Sequence, residues 1–313
     1  MDTSFCQSQC KELIRQKALD EGFSACGFAV ARTVGTSAAE AYDRWLAEGK
    51  NASMAYAANH LDLRLDPRTL LQGTRTVISM AMNYYPVRRQ PAEAPQFAYY
   101  AYGKDYHDVV RRRLDTVARF ITENYGGECR CCVDTAPLRE RWWAQEAGIG
   151  FVGRNNQLIV PGKGSYFFLG EILTTLPLPP DARRRGGCGD CRRCVDACPA
   201  GALNADGSCL DARRCISCMT IEHRGDLPQN VASALGNRVY GCDECQKACP
   251  HNRFATPTEI AEFAPTDEFL SLTVESMSAM TVNDYRRLFR GSAVKRAKYE
   301  GLMRNLEAMK KNL

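Results

Sequence analysis

Apolar positions in the amino-terminal part of the chain recur with two alternating periods. Residues 4–20 carry Phe5, Leu13 and Ile14 at helical spacing up to a stop at Gly22, and 23–30 reads as a strand of small residues. Residues 76–82 are apolar almost throughout, the pattern of a buried strand, and Pro86 breaks it. The strongest helix is predicted over 105–125, where Val109, Val110, Leu114, Val117, Phe120 and Ile121 share one face and Gly126-Gly127 closes it. A strand at 129–133, a helix over 138–147 and strands at 157–160 and 166–173 follow. This order predicts an α+β fold with an α/β-like core.

The pattern breaks at Leu176-Pro177-Leu178-Pro179-Pro180, and a linker is predicted through Gly187. Beyond it lies a cysteine-rich module, then a helical tail. The expected division is a core at 1–180, the module at 181–255 and the tail at 256–313. No repeat of 20–50 residues is visible apart from two cysteine runs. In the tail, Arg286, Arg287, Arg290, Lys295, Arg296, Lys298, Arg304, Lys310 and Lys311 face only Asp284, Glu300 and Glu307. Arg183-Arg184-Arg185 adds a short basic run. Taken alone, such charges read first as solvated helix faces and second as a phosphate-binding surface.

Composition narrows the class. With 313 residues, 45% hydrophobic and 25% charged, the chain has the make-up of a globular protein with a sizeable core. The amino terminus has neither a basic nor an apolar leader region, no twin-arginine signal occurs and no apolar stretch is long enough to span a membrane. A cytoplasmic address is expected. There the sixteen cysteines are kept reduced, which favours metal ligation over disulfides.

Cys188-x2-Cys191-x2-Cys194-x3-Cys198-Pro199 is the bacterial ferredoxin run, and Cys242-x2-Cys245-x3-Cys249-Pro250 is an incomplete second copy. In such pairs the fourth cysteine of each run ligates the other run's cluster. Cluster one is then assigned to Cys188, Cys191, Cys194 and Cys249, and cluster two to Cys198, Cys242 and Cys245. The missing first cysteine of the second run falls at Val239. Its replacement is left between Cys215 and Cys218, with Cys209 weaker. Zinc knuckles are the alternative, but they do not call for this spacing. Cys6, Cys10, Cys26, Cys129, Cys131 and Cys132 have no such context and are expected in the core.

Three other patterns stand out. Gly148-Ile149-Gly150-Phe151-Val152-Gly153 matches G-x-G-x-x-G, but it follows a helix and lacks the acidic partner of a dinucleotide fold; the expectation is a turn where the backbone approaches something closely, a large cofactor being one candidate. Asp105-Tyr106-His107 begins a D-x-H-x-x-G cobalt signature, yet Val110 stands in place of its glycine, so His107 reads as a helix-surface histidine. Asp134, ending a strand before Pro137, is either a helix cap or a general acid with a raised pKa.

The chain resembles the epoxyqueuosine reductases of tRNA queuosine biosynthesis. The matching segments are His60-Leu61-Asp62-Leu63-Arg64-Leu65-Asp66-Pro67, Met82-Asn83-Tyr84-Tyr85-Pro86, Tyr102-Gly103-Lys104-Asp105-Tyr106-His107 and Val133-Asp134-Thr135 with Ala147-Gly148-Ile149-Gly150. Gly164-Ser165-Tyr166-Phe167-Phe168-Leu169-Gly170-Glu171, Leu210-Asp211-Ala212-Arg213-Arg214-Cys215-Ile216-Ser217 and Gly236-Asn237-Arg238-Val239-Tyr240-Gly241-Cys242-Asp243 continue the match. The resemblance implies that Cys215 is the missing ligand of cluster two and Cys218 a local extra. It implies two [4Fe–4S] clusters and base-off cobalamin held between core and module, near His60, Asp134, Asn155, Leu158, Ser165, Leu169 and Ser217. The family's proton donor falls on Asp134.

The implied substrate is epoxyqueuosine at the wobble position of tRNAs for Asp, Asn, His and Tyr. Electrons from an unidentified donor are expected to reach cobalamin from cluster one, with Asp134 protonating the departing oxygen. A monomer without membrane attachment is expected. Many relatives continue into a helical-repeat domain with further tRNA contacts, whereas this sequence stops at Leu313; catalysis is expected to survive this, and the tightness of the grip on the tRNA arm is left open. The rival readings are a cobalamin-dependent reductive dehalogenase and a ferredoxin-type electron carrier.

Overall fold

The computed structural model describes residues 3–204 and 209–312, with side chains from residue 7 onward. The side chain of Cys6 therefore lies outside the described residues. Helix α1 (Thr3–Asp20) leads to strand β1 (Ala25–Val30), and α2 (Thr36–Ala47) and the short α3 (Leu61–Leu65) precede β2 (Thr76–Asn83). Then come β3 (Gln96–Phe97), α4 (Tyr106–Tyr125), β4 (Cys129–Cys132), α5 (Glu140–Glu146), the two-residue strands β5 (Phe151–Val152) and β6 (Leu158–Ile159), and β7 (Phe167–Thr174). The predicted elements are all present. Helix α2, which no apolar pattern announced, buries none of its residues.

Strands β1, β2, β7 and β4 form one sheet in that order, every pair antiparallel. The core is thus α+β, and its two central strands are buried on both faces. Ile78, Met80, Met82, Phe168 and Ile172 meet α1 and α4, while Val77, Leu173 and Cys132 meet Trp143 of α5. Each fully buried aliphatic side chain contributes about 1.5–3 kcal/mol. Helix α4 adds Val109, Val110, Leu114, Val117 and Ile121 to that layer. It comes close because β7 carries Gly170, where a Cβ would lie 2.8 Å from Leu114 Cδ1 and 2.9 Å from Val110 Cγ1.

The segment 176–187 has no helix or strand, as its prolines require. It is nevertheless tied down. The Asp181 carboxylate pairs with Lys11 (2.6 Å) and Arg15 (3.0 Å) and accepts from the Phe28 amide at 3.0 Å. Asp181→Ala strands a largely buried lysine and an edge-strand amide, and is expected to cost roughly 3 kcal/mol in urea unfolding. An unchanged midpoint would contradict this role.

The module contains α6 (Arg193–Asp196), α7 (Ile216–Ile221), α8 (Gln229–Ala232), β8 (Arg238–Tyr240) and α9 (Glu244–Lys247). Helices α6 and α9 pack together, and each starts one residue before the corresponding cysteine, Cys194 or Cys245. The tail is α10 (Asp267–Leu270), α11 (Val274–Ser278), α12 (Val282–Leu288) and α13 (Lys298–Lys310). One continuous apolar cluster joins Ile14 and Leu114 of the core with Phe269, Phe289, Leu302 and Met309 of the tail. At its centre the Phe97 ring lies 5.1 Å from Phe269, 5.8 Å from Phe289 and 6.0 Å from Tyr240. Strand β3 of the core also pairs in parallel with β8 of the module. No described helix is long and apolar enough to cross a membrane.

Candidate active site and paired thiol sets

Asp134 follows β4 in the left-handed region, at φ 44°. Among non-glycine residues aspartate is one of the few that visits this region, at a cost of about 1–2 kcal/mol. Three partners hold it there. Its Oδ2 accepts from the Tyr106 hydroxyl at 2.8 Å and lies 3.0 Å from His107 Nε2, and its amide donates to Glu140 Oε1 at 2.5 Å. The other imidazole nitrogen of His107 meets Asp105 at 2.6 Å, and Asp105 also caps α4 through the His107 amide. Tyr106 is fixed by stacking on Phe168, with ring centroids 4.4 Å apart and planes 4° from parallel.

These contacts revise two expectations. His107 is not a surface histidine but a bridge between two carboxylates. Burial pulls its pKa down, but the hydrogen bonds to Asp105 and Asp134 outweigh it and push it up to about 10. Asp134 caps no helix, since α5 begins after Arg139. Its pKa is not raised either: burial pushes it up, but the hydrogen bonds from His107 and Tyr106 prevail and hold it below the usual carboxylate range. The protons of the site rest instead on its neighbours. Burial and the adjacent Asp134 charge raise Glu140 to about 8.

His107 titrates above its ordinary value of 6.5, so its pairs add stability that is complete below about pH 6.5 and is lost as pH rises through about 10. His107→Gln is expected to cost roughly 1 kcal/mol at pH 7, discounted for its partial exposure. The difference from the parent chain should close as pH approaches 10; a pH-independent loss in denaturant titrations would contradict this. Beside the loop, His107, Asp108, Arg111, Arg112, Val133 and Thr135 line an open cleft of about 400 Å³. From the tail, Arg296 pairs with Glu222 at 2.7 Å and stands 5.7 Å from the Tyr56 ring, and the charges of Asp134 and Glu222 both raise Tyr56 beyond the effect of burial.

The residues expected near cobalamin fall into two kinds. Leu158 and Leu169 share a buried apolar cluster. Asn155 and Ser165 are buried at the seam with the module: Asn155 Nδ2 donates to the Cys245 carbonyl at 3.4 Å, and Ser165 is bound to Asn252 and Gln246. Their side chains are thus occupied within the protein. His60 is exposed in a left-handed conformation, at φ 55°, and Ser217 is half-buried on α7. The glycine motif at 148–153 does permit a close approach, but to the chain itself: a Cβ on Gly150 would lie 2.2 Å from the Ile159 carbonyl oxygen of β6.

The thiols sort into two groups. Burial raises Cys194, and Cys188 and Cys249 act on it further; burial likewise raises Cys249, on which Cys188 and Cys191 act. Cys215 feels Cys198, and Cys245 feels Cys242, Cys215 and Cys198. These couplings tie Cys188, Cys191, Cys194 and Cys249 to one another, and Cys198, Cys215, Cys242 and Cys245 to one another. Backbone amides also point at sulfur, with Arg154 N to Cys188 Sγ at 3.4 Å and Ala202 N to Cys198 Sγ at 3.2 Å. That donor environment suits sulfur-ligated clusters, whose potentials hydrogen bonds to sulfur tune. Among the described residues no three His, Cys, Asp or Glu side chains converge as on one metal ion. Val239, where the second run lacks a cysteine, is a fully buried strand residue whose carbonyl accepts from Asn305 of α13. Cys26, Cys131 and Cys132 are buried in the core, while Cys10 and Cys129 are half-buried.

A family model described as "Epoxyqueuosine reductase QueG, DUF1730" matches residues 64–135, and one described as "4Fe-4S double cluster binding domain" matches 187–252. The epoxyqueuosine reductase of Cellulophaga algicola is 37% identical over 300 residues, 96% of this chain and 97% of the relative, and that of Leadbetterella byssophila is 39% identical over 298 residues, 95% and 97%. A crystal structure of an epoxyqueuosine reductase with an epoxyqueuosine-modified tRNA-Tyr stem loop superposes with a TM-score of 0.87 at 30% identity, covering 97% of this chain and 81% of that one. A Bacillus subtilis structure with its catalytic aspartate loop swung out of the active site gives 0.87 at 29%, covering 97% and 82%. On sequence and fold together, the chain belongs to the epoxyqueuosine reductase family.

Proposed function

We propose that this oxidoreductase reduces epoxyqueuosine in the anticodon arm of tRNA to queuosine, with Asp134 delivering a proton to the epoxide oxygen. The observation that carries the reading is the convergence of Tyr106, His107 and Glu140 on one strained aspartate beside an open cleft. The Bacillus subtilis relative, with its catalytic aspartate loop swung out, supports a working role for such a loop. The relative bound to a modified stem loop supports tRNA as the partner.

Opening the epoxide to an alkene consumes two electrons and two protons and releases water. Cys188, Cys191, Cys194 and Cys249 would hold one cluster and Cys198, Cys215, Cys242 and Cys245 the other. Leu158, Leu169, His60 and Ser217 would help to hold cobalamin, the last two with polar side chains that have no hydrogen-bond partner among the described residues. When bound, the clusters supply single electrons and the corrinoid a centre where two of them act on carbon. The chain's own task is proton delivery. Asp134 lies between proton-bearing neighbours, so a proton drawn from His107 passes through its carboxyl to the departing oxygen. Tyr106 holds the carboxyl's orientation during the transfer.

Several tail charges are already engaged: Arg287 with Glu268, Arg296 with Glu222, and Arg304 with the His223 and Gly225 carbonyls. Arg286, Arg290, Lys295 and Lys298 are exposed and are the residues assigned to tRNA phosphates. The test is mass analysis of nucleosides from an epoxyqueuosine-containing stem loop, after incubation with anaerobically reconstituted protein and a reductant. Queuosine is expected. Unconverted substrate, with clusters and cobalamin both bound, would remove the reading.

A further inference from the structure

On the face of the sheet that carries α5, Ser79 Oγ and the Glu171 carboxyl are buried with only each other to pair with among the described residues, and Trp143 Nε1 is buried without a hydrogen-bond partner there. Glu171 is 0% exposed and sits directly across the β2–β7 ladder from Ser79. Val77 and Leu173 lie to one side of this pair, and Ala81 and Leu169 to the other, so it forms a polar band between two apolar clusters. Glu140 opens α5 above the band, with its Oε1 on the Asp134 amide. Two carboxyls thus line up behind the reactive loop. The unfavourable burial of such groups is a mark of functional sites.

We propose that Glu140, backed by Glu171, is a positioning residue that fixes the Asp134 loop through its amide and serves as the internal source of the second proton. The proposal rests on Asp134 as proton donor to substrate. Burial first and the neighbouring Glu140 carboxyl second push Glu171 well above the carboxylate range, against a hydrogen bond with Ser79 that lowers it. Glu140 is faced by Asp134 from the loop, Arg141 from α5, His107 and Tyr106 from α4, Cys132 from β4 and Glu171 from β7.

Once Asp134 has given its proton to the departing oxygen it is again a carboxylate. The Glu140 O–H bond then breaks, its proton moves to Asp134 and on to the oxygen as water leaves, and Glu140 remains as a carboxylate beside the Arg141 cation. Both electrons are those of the reduction itself. Uptake of two protons from solvent restores His107 and Glu140 between turnovers.

The test pairs infrared spectroscopy of the cluster-loaded protein, without cobalamin, with the pH profile of turnover in the fully loaded enzyme. The parent chain is expected to show a protonated-carboxyl stretch that titrates near pH 8, and Glu140→Gln is expected to lack it. The same variant, which keeps an acceptor for the Asp134 amide, should lose on the order of 100-fold in kcat, with little change in KM and no alkaline limb near pH 8. Glu140→Asp, which withdraws the carboxyl by one methylene, should move the titrating band and lose at least as much turnover. It carries the test if the glutamine variant does not fold. A band unchanged in either variant, or a parental pH profile in either, would overturn the proposal. Full activity of Asp134→Asn would instead remove the reading beneath it, while the infrared titration would still decide whether Glu140 holds the proton.

Discussion

Replacing Asp134 by alanine is expected to lower turnover on the order of 1,000-fold, with iron content and the corrinoid spectrum unchanged. Asp134 is joined at once to Tyr106, His107 and Glu140. Its removal leaves protons on His107 and Glu140 with no carboxylate to carry them to the cleft. None of the cluster cysteines contacts it, so metal loading should survive. The variant also adds to the left-handed strain, because alanine tolerates φ 44° less well than aspartate; a small stability loss is expected beside the large kinetic one. Retained activity with intact cofactors would show that the proton comes from elsewhere.

Replacing Cys215 by alanine is expected to remove about half of the iron, from about eight to about four atoms per chain, since each cubane carries four. Cys218→Ala, three residues on, should leave the content unchanged. The two thiols differ in company: Cys215 feels Cys198, and Cys242 and Cys245 feel it in turn, whereas Cys218 feels only Cys215 and Glu222. Iron analysis and the electron paramagnetic resonance of the reduced protein measure the outcome. Equal losses in both variants, or none in either, would contradict the assignment.

What could be read from the amino acids followed from how local each feature is. The strands at Thr76–Asn83 and Phe167–Thr174 are central and covered on both sides, so their apolar runs announce them. The double-cluster module was legible because a tight loop imposes fixed spacing on its cysteines. Even the gap at Val239 was visible, although its cause was not: that residue is needed in the core beneath α13. Helix α2 buries nothing and so leaves no stripe. The tail's role in the main core was hidden because Phe97, Phe269 and Phe289 are far apart in sequence and meet only in three dimensions. The active site shows the same limit. His107 was set aside because Val110 replaces a glycine, yet its partner Asp134 is 27 residues away and comes from another element. Burial alone suggested a raised Asp134, and only the placement of His107 and Tyr106 reverses the sign. Glu140 and Glu171 carry no motif; their significance lies in what surrounds them.

The central claim is that electrons held on the two thiol-bound clusters end in the removal of one oxygen atom from the modified base. A single-turnover experiment tests it most directly: the reconstituted protein is reduced, freed of excess reductant under anaerobic conditions and mixed with an epoxyqueuosine stem loop. Loss of two electrons from the protein for each queuosine detected by mass is the predicted result. Cluster reoxidation with the nucleoside unchanged, or an unmodified spectrum beside unconverted substrate, would contradict it.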